Sequence, residues 1–205
     1  FSKGFRAMIE PIKWKDNKIV FIDQTELPVR LRYVTCRDID VLCEAIKKLR
    51  IRGAPLIGVA VALGYALGCI NSKAKTLARL SKDLKHVAKK LRDTRPTAVN
   101  LFWALNRMEA TLSNFASCQN GQLAKLDRVK KIILKEALDI LEEDKKMCAA
   151  IGRNGARLIK TGDVILTHCN AGILATAGQG TALSIIYEAK KQGKRFKVYA
   201  GETRP

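Results

Sequence analysis

The stretch DVILTHCNAGILATAGQGTALSIIYEAKKQGKRFKVYA, Asp163 to Ala200, decides how this chain is read. DVILTH is strand-like. A helix is predicted from about Ile173 to Gln192, with Gly193 as its C-terminal stop, and FKVYA returns to strand character. Strand, helix, strand is a βαβ unit, and its two strands must run parallel because a crossover, not a tight turn, joins them. Parallel strands are normally covered on both faces within a larger sheet, so further strands are expected beyond Pro205 or from another chain. ETRP at the end of the chain therefore reads as an interruption.

Upstream of this unit the pattern changes. KIVFIDQTELPVRLRYV predicts a hairpin of Ile19–Ile22 with Val29–Val34. Asp38 can cap a helix to about Leu49, and IRGAPLIGVAVALGYALG predicts a second helix, apolar nearly all round and therefore buried, with Pro55 in its first turn. In SKAKTLARLSKDLKHVAKKLRDTR an apolar stripe of Leu77, Leu80, Leu84, Val87, Ala88 and Leu91 leaves the lysines on the opposite, solvated face. RPTAVNLFWALNRMEATL predicts a helix from Pro96 to about Leu112, with Leu101, Phe102 and Trp103 in the core. Ser113–Gln122 reads as a loop. A long amphipathic helix follows, its buried stripe marked by Val129, Ile133, Ala137, Ile140, Leu141, Cys148 and Ile151, and it is expected to loosen at Gly152 and Gly155. The fold class is α/β. A small N-terminal domain of hairpin plus helices, residues 1–118, is followed by a linker helix, 119–160, and by the start of a truncated parallel-sheet domain, 161–205.

The 205 residues are 47% hydrophobic and can bury a substantial core. The longest apolar run, Pro55 to Gly68, is shorter than a spanning helix needs, and the N-terminus has no signal-peptide core, so a soluble, cytoplasmic protein is expected. Six cysteines at 36, 43, 69, 118, 148 and 169 have no paired spacing and are expected as free thiols. With two histidines in the chain and no H-E-x-x-H or C-x-x-C, no metal site is expected. The net charge of +19 would suit a polyanion, but the basic helix accounts for much of it as a solvated face, and no nucleic acid is expected as partner.

Three positions carry chemistry. Cys169 ends the strand DVILTH and precedes the predicted helix, whose free N–H groups would favour a thiolate, although a lone cysteine is most often a core residue. His168 next to it should point to the opposite face and not serve as its base. Arg52 in RGAP and Arg95 in RPTAVN each stand before a helix with proline at its start, an arrangement that suits a phosphate, although each arginine alone would more often bind local carbonyls or a surface carboxylate. The glycines Gly172, Gly178 and Gly180 do not form G-x-G-x-x-G, so a nucleotide cofactor is weakly supported. The small residues Ala171, Ala175, Ala177 and Gly178 suit a close approach to a neighbour or ligand.

The strings DQTELP, IRGAPLIGVAVALG, RPTAVNLFWAL, GDVILTHCNAGILATAGQGTAL and KVYAGETRP, in this order, resemble the methylthioribose-1-phosphate isomerases of methionine salvage over nearly the whole chain. The resemblance implies an aldose–ketose isomerase without metal or organic cofactor, acting on a small phosphorylated sugar. It further implies a hairpin-and-helix domain before a Rossmann-like domain, and a homodimer. By motif it assigns Cys169 as catalytic and Arg52, Gly53, Ala54, Arg95, Asn170 and Ala171 to the substrate. The aspartate that completes such a site would fall beyond Pro205. Two alternatives share the superfamily: a ribose-1,5-bisphosphate isomerase, ranked second, and a non-catalytic initiation-factor-2B-like regulatory subunit, ranked third.

Overall fold

Asp16 and Asn17 both take left-handed backbone, φ 50° and 55°, and turn the chain back between β1 (Ile12–Lys15) and β2 (Lys18–Ile22). A two-residue hairpin turn of type I′ needs positive φ at both central positions, which Asp and Asn tolerate better than most side chains. The computed structural model describes residues 9–117 and 126–201; Cys118, the rest of the loop expected to Gln122, and Glu202–Pro205 lie outside them. β3 (Tyr33–Cys36) completes an antiparallel sheet of order β1-β2-β3. The expected hairpin is thus corrected twice: β1 is an additional strand, and the partner of β2 lies further along. Ile19 pairs with Cys36 and Ile22 with Tyr33, while Val29 is 95% exposed. The delay comes from Asp23, whose buried carboxylate accepts hydrogen bonds from the Thr25 hydroxyl (2.6 Å), Arg50 (2.8 Å) and Arg32 (3.2 Å). These bonds hold Gln24–Glu26 in a single 3₁₀ turn.

The helices follow their apolar patterns more closely. α1 (Ile39–Lys47) is capped by Asp38, whose side chain accepts from the Asp40 N–H. α2 (Ala54–Asn71) is buried on every face from Leu56 to Cys69 and forms the axis of the main core. By length and composition it could cross a bilayer, but most of it lies inside the protein. α3 (Leu77–Arg92) buries Leu80, Leu84, Ala88 and Leu91 and leaves His86 and most of its lysines at the surface. Two predicted boundaries move. α4 (Val99–Ser117) begins after a turn in which the Ala98 N–H donates to the Arg95 carbonyl, not at Pro96. It also continues past Leu112 through the first residues of the expected loop, because Phe115 packs against the core.

α5 (Leu126–Ala156) is one continuous helix whose buried stripe is the predicted one, with the exception that Ile151 is half-buried and that Asp144, Gly152 and Ala156 join it. Gly152 and Gly155 do not loosen it. They are where α6 (Ala182–Lys191) comes close: a Cβ on Gly152 would lie 3.0 Å from the Ser184 carbonyl, and one on Gly155 would strike Ile185. β4 (Val164–Thr167) and β5 (Lys197–Ala200) pair in parallel, Val164 with Lys197 and Thr167 with Ala200, as the crossover requires. Ala156, Ile159 and Ala189 form a small second core with Ile165, Ile185 and Phe196 packed on it. The outer side of this pair is open: Leu166 is 80% exposed and Val164 63%.

Candidate active site

The helix predicted from Ile173 to Gln192 exists only in its second half. From His168 to Thr181 the chain is a loop with a 3₁₀ turn at Ile173–Ala175, and the helix starts at Ala182. Three contacts take the backbone out of helical geometry. The buried Asp144 carboxylate on α5 accepts the Ala177 N–H at 2.6 Å, and the Thr176 hydroxyl accepts the Gly180 N–H at 3.0 Å. Gly180 itself, at φ 93°, lies so close to Ala171 and Gly172 that a Cβ would come within 2.7 Å of both.

This loop carries Cys169, which sits beyond the last residue of β4 at φ 67°. The expected support from a following helix is absent: the N–H groups of Thr181 and Leu183 at the start of α6 are taken by the Ala171 carbonyl. The strand alternation argument for His168 does not apply either, since β4 ends at Thr167 and both His168 and Cys169 are exposed. Among the described cysteines Cys169 alone is exposed. Burial pushes the thiols of Cys43 and Cys69 up to about 11 and raises those of Cys36 and Cys148, which makes these four poor nucleophiles.

The RGAP turn meets this loop directly. Gly53 caps α2 at φ 96°, and a Cβ there would lie 2.4 Å from the Ala175 Cα. Arg52 donates from Nε to the Gln24 side-chain oxygen at 3.3 Å, and the Gln24 amide donates in turn to the Leu174 carbonyl at 2.8 Å. The start of α2, the 3₁₀ turn after β2 and the loop carrying Cys169, with Asn170 and Ala171, are therefore one assembly. Ala54 and Pro55 open α2 beside it. Arg95 lies in the turn before α4, whose first residues cross α2 where Gly58 packs on Asn100. Unlike Arg50, Arg92 and Arg107, which are held by carboxylates, neither Arg52 nor Arg95 has an ion-pair partner among the described residues.

Trp103 departs from expectation. Leu101 is buried, but Trp103 is 49% exposed, stacked by the Arg107 guanidinium, and lines an apolar cavity of about 480 Å³ with Pro55, Gly58, Val99, Ile140 and Met147. Gln24 and Asp144 were not singled out from the sequence. Asp144 had a signal, a carboxylate on an otherwise apolar helical stripe. Gln24 had none beyond its place in DQTELP. Among the described residues no three His, Cys, Asp or Glu side chains gather as a metal site.

The chain is thus a mixed α/β protein in which the loop that carries Cys169 packs against the start of α2, through Gly53 on Ala175 and Gln24 between Arg52 and Leu174. Residues 50–205 match the model of the initiation factor 2 subunit family, and the chain belongs to that family. It is 50% identical over 194 residues to a methylthioribose-1-phosphate isomerase of Geotalea uraniireducens, covering 95% of this chain and 54% of that protein. It is 47% identical over 197 residues to a 5-deoxyribose 1-phosphate isomerase of Moorella thermoacetica, covering 96% and 54%. The crystal structure of 5-methylthioribose 1-phosphate isomerase from Pyrococcus horikoshii superposes with TM-score 0.83 at 30% identity, over 94% of this chain and 60% of that one. That of translation initiation factor eIF-2B subunit delta from A. fulgidus does so with TM-score 0.82 at 41% identity, over 97% and 56%. The chain spans about half the length of the curated relatives it matches.

Proposed function

We propose that this chain is the part of an aldose–ketose isomerase for 5-methylthioribose 1-phosphate that supplies the thiol and the phosphate arginines. The reading divides it at residues 118 and 160 into a hairpin-and-helix domain, a linker helix and the opening of a Rossmann-like domain. The enzyme is a cytoplasmic homodimer of methionine salvage. The observation that carries the proposal is the contact of the RGAP turn with the loop of Cys169, made by Gly53 on Ala175 and by Gln24 between Arg52 and Leu174.

In this reading the substrate phosphate lies at the start of α2, where the Ala54 and Leu56 N–H groups have no acceptor within the helix, and Arg52 and Arg95 add charge-assisted hydrogen bonds. Gly53, Ala54, Asn170 and Ala171 line the same place with little bulk. Cys169, exposed above it, takes the proton from C2 of the sugar as the bond from C1 to the ring oxygen breaks and that oxygen takes a proton from the partner acid. The resulting enediol, phosphorylated on its C1 oxygen, becomes the ketose when the C2 hydroxyl gives its proton back to that acid and the thiol returns its own to C1. A carboxylate outside this chain completes the acid–base pair. The apolar wall of Val99 and Trp103 suits a thioether substituent.

Two further substrates define the test. The Moorella relative's name supports 5-deoxyribose 1-phosphate, which lacks the sulfur, and the sequence resemblance leaves ribose 1,5-bisphosphate as the other alternative. The specificity constants of the full-length protein for all three sugars decide among them. The thioether sugar is expected to be preferred. Turnover of none would instead favour a non-catalytic regulatory subunit of the initiation-factor-2B type, the A. fulgidus structure being that of translation initiation factor eIF-2B subunit delta.

A further inference from the structure

We infer that Gln24 is a positioning residue that sets the Arg52 guanidinium and the Cys169 loop in one frame. The inference rests on the reading of Arg52 as a phosphate ligand. Gln24 lies in the 3₁₀ turn after β2, is 3% exposed, and has both ends of its amide engaged. Its oxygen accepts from Arg52 Nε at 3.3 Å and its nitrogen donates to the Leu174 carbonyl at 2.8 Å. An arginine that is paired with no carboxylate keeps its full charge for an anionic ligand, but its long side chain has many rotamers to lose. A neutral acceptor at Nε restricts those rotamers without neutralising the charge, and leaves the terminal nitrogens for the phosphate. An amide carries a carbonyl acceptor and an NH₂ donor on one group, so it can accept from the guanidinium and donate to the carbonyl at once while remaining neutral.

The backbone of the turn is itself tied to the segment before RGAP. The Gln24 N–H donates to the Arg50 carbonyl at 3.1 Å, and Arg50 is bonded to Asp23. Residues 23–24 and 50–52 therefore move as a unit, and the Gln24 amide transmits their position to Leu174, two residues before the buried Thr176.

The test is a double-mutant cycle on the full-length protein, with inorganic phosphate as probe and calorimetry as readout. Gln24→Met keeps the volume and removes both hydrogen bonds. It is expected to weaken phosphate binding about tenfold, the lower end of what loss of one hydrogen bond to a charged group costs, and to have less than about a twofold effect in the Arg52→Ala background. A purely structural role would give equal effects in both backgrounds, and that outcome overturns the inference, as does unchanged affinity in the single variant. If Gln24→Met does not fold, Gln24→Leu carries the same cycle with the same expected outcomes, since it too removes both hydrogen bonds and adds no charge. Wild-type protein that binds phosphate with this coupling but turns over none of the three sugars would refute the isomerase reading alone. Sugar turnover with equal effects in the two backgrounds would refute the positioning role alone.

Discussion

Replacing Gly53 by alanine tests the junction on which the site depends. At φ 96° and ψ 127° an L-residue is strained whatever its surroundings, which costs roughly 1 to 3 kcal/mol. The new methyl would lie 2.4 Å from the Ala175 Cα and 2.7 Å from its carbonyl oxygen, backbone atoms that no rotamer change can remove. Overpacking of this kind adds roughly 1 to 3 kcal/mol, so the sum is about 2 to 6 kcal/mol. A typical domain has about 5 to 15 kcal/mol in all. Urea denaturation of the wild type and Gly53→Ala measures the cost, and the alkylation rate of Cys169 by iodoacetamide reports whether the loop has yielded instead. Ala175→Gly in the Gly53→Ala background removes only the methyl at 2.7 Å and should recover little. A stability loss under about 0.5 kcal/mol together with an unchanged alkylation rate would refute the argument that the start of α2 is pressed against the loop, since surface changes fall in that range.

Further outcomes follow from single groups. Cys169→Ser should lower turnover by orders of magnitude with substrate affinity nearly intact, and unchanged turnover would remove the thiol from the chemistry. Arg95→Ala should raise the Michaelis constant by the equivalent of about 1.5 to 3 kcal/mol, and a constant equal to that of the wild type would take Arg95 out of the phosphate site. Burial of Asp23 works to raise its carboxyl, but the bonds from Thr25 and Arg50 outweigh it and hold the carboxyl below the usual aspartate range. Its stabilisation is thus present above the unfolded value and lost as the pH falls through the folded one. Denaturation curves should show Asp23→Asn losing less stability than the wild type on the acid side of that range. Asp144 has the opposite sign. Burial raises its carboxyl despite the Ala177 and Gly178 N–H groups, so it favours the fold most when protonated, and that contribution declines as the pH rises through the folded value. In Asp144→Asn this decline should disappear, and an unaltered pH profile would show that Asp144 does not govern it.

Much of the helical part is legible in the sequence because each helix there carries its own period. The all-apolar α2 and the stripes of α3 and α5 lie where 3.6-residue spacing puts them. β1 escapes notice because four residues offer one buried side chain, Ile12, and the informative signal is the Asp-Asn turn after it. The loop from His168 to Thr181 is the instructive failure. Its Ala, Leu and Ile content favours a helix, and what prevents one is the carboxylate of Asp144, far away in sequence, and the approach of Gly53. For the same reason Cys169 and Arg52 could be named from their motifs, whereas Gln24, which links their segments, could not.

Ala177 belongs to the main core and not to the small one formed around Ala156 and Ala189. The loop after β4 is thus attached by sequence to the parallel strands and by packing to the helices before them. Anyone recombining this protein with a relative has to respect the second attachment. A crossover placed at the visually obvious break near residue 160 would deliver the thiol of one parent onto the glycine, glutamine and aspartate of the other. Such a chimera could refold both halves and still misplace the loop that carries Cys169. Exchanging residues 168–181 together with their counterparts on α2 and α5 should preserve it, so the unit of inheritance for this site is a set of contacts and not a segment of chain.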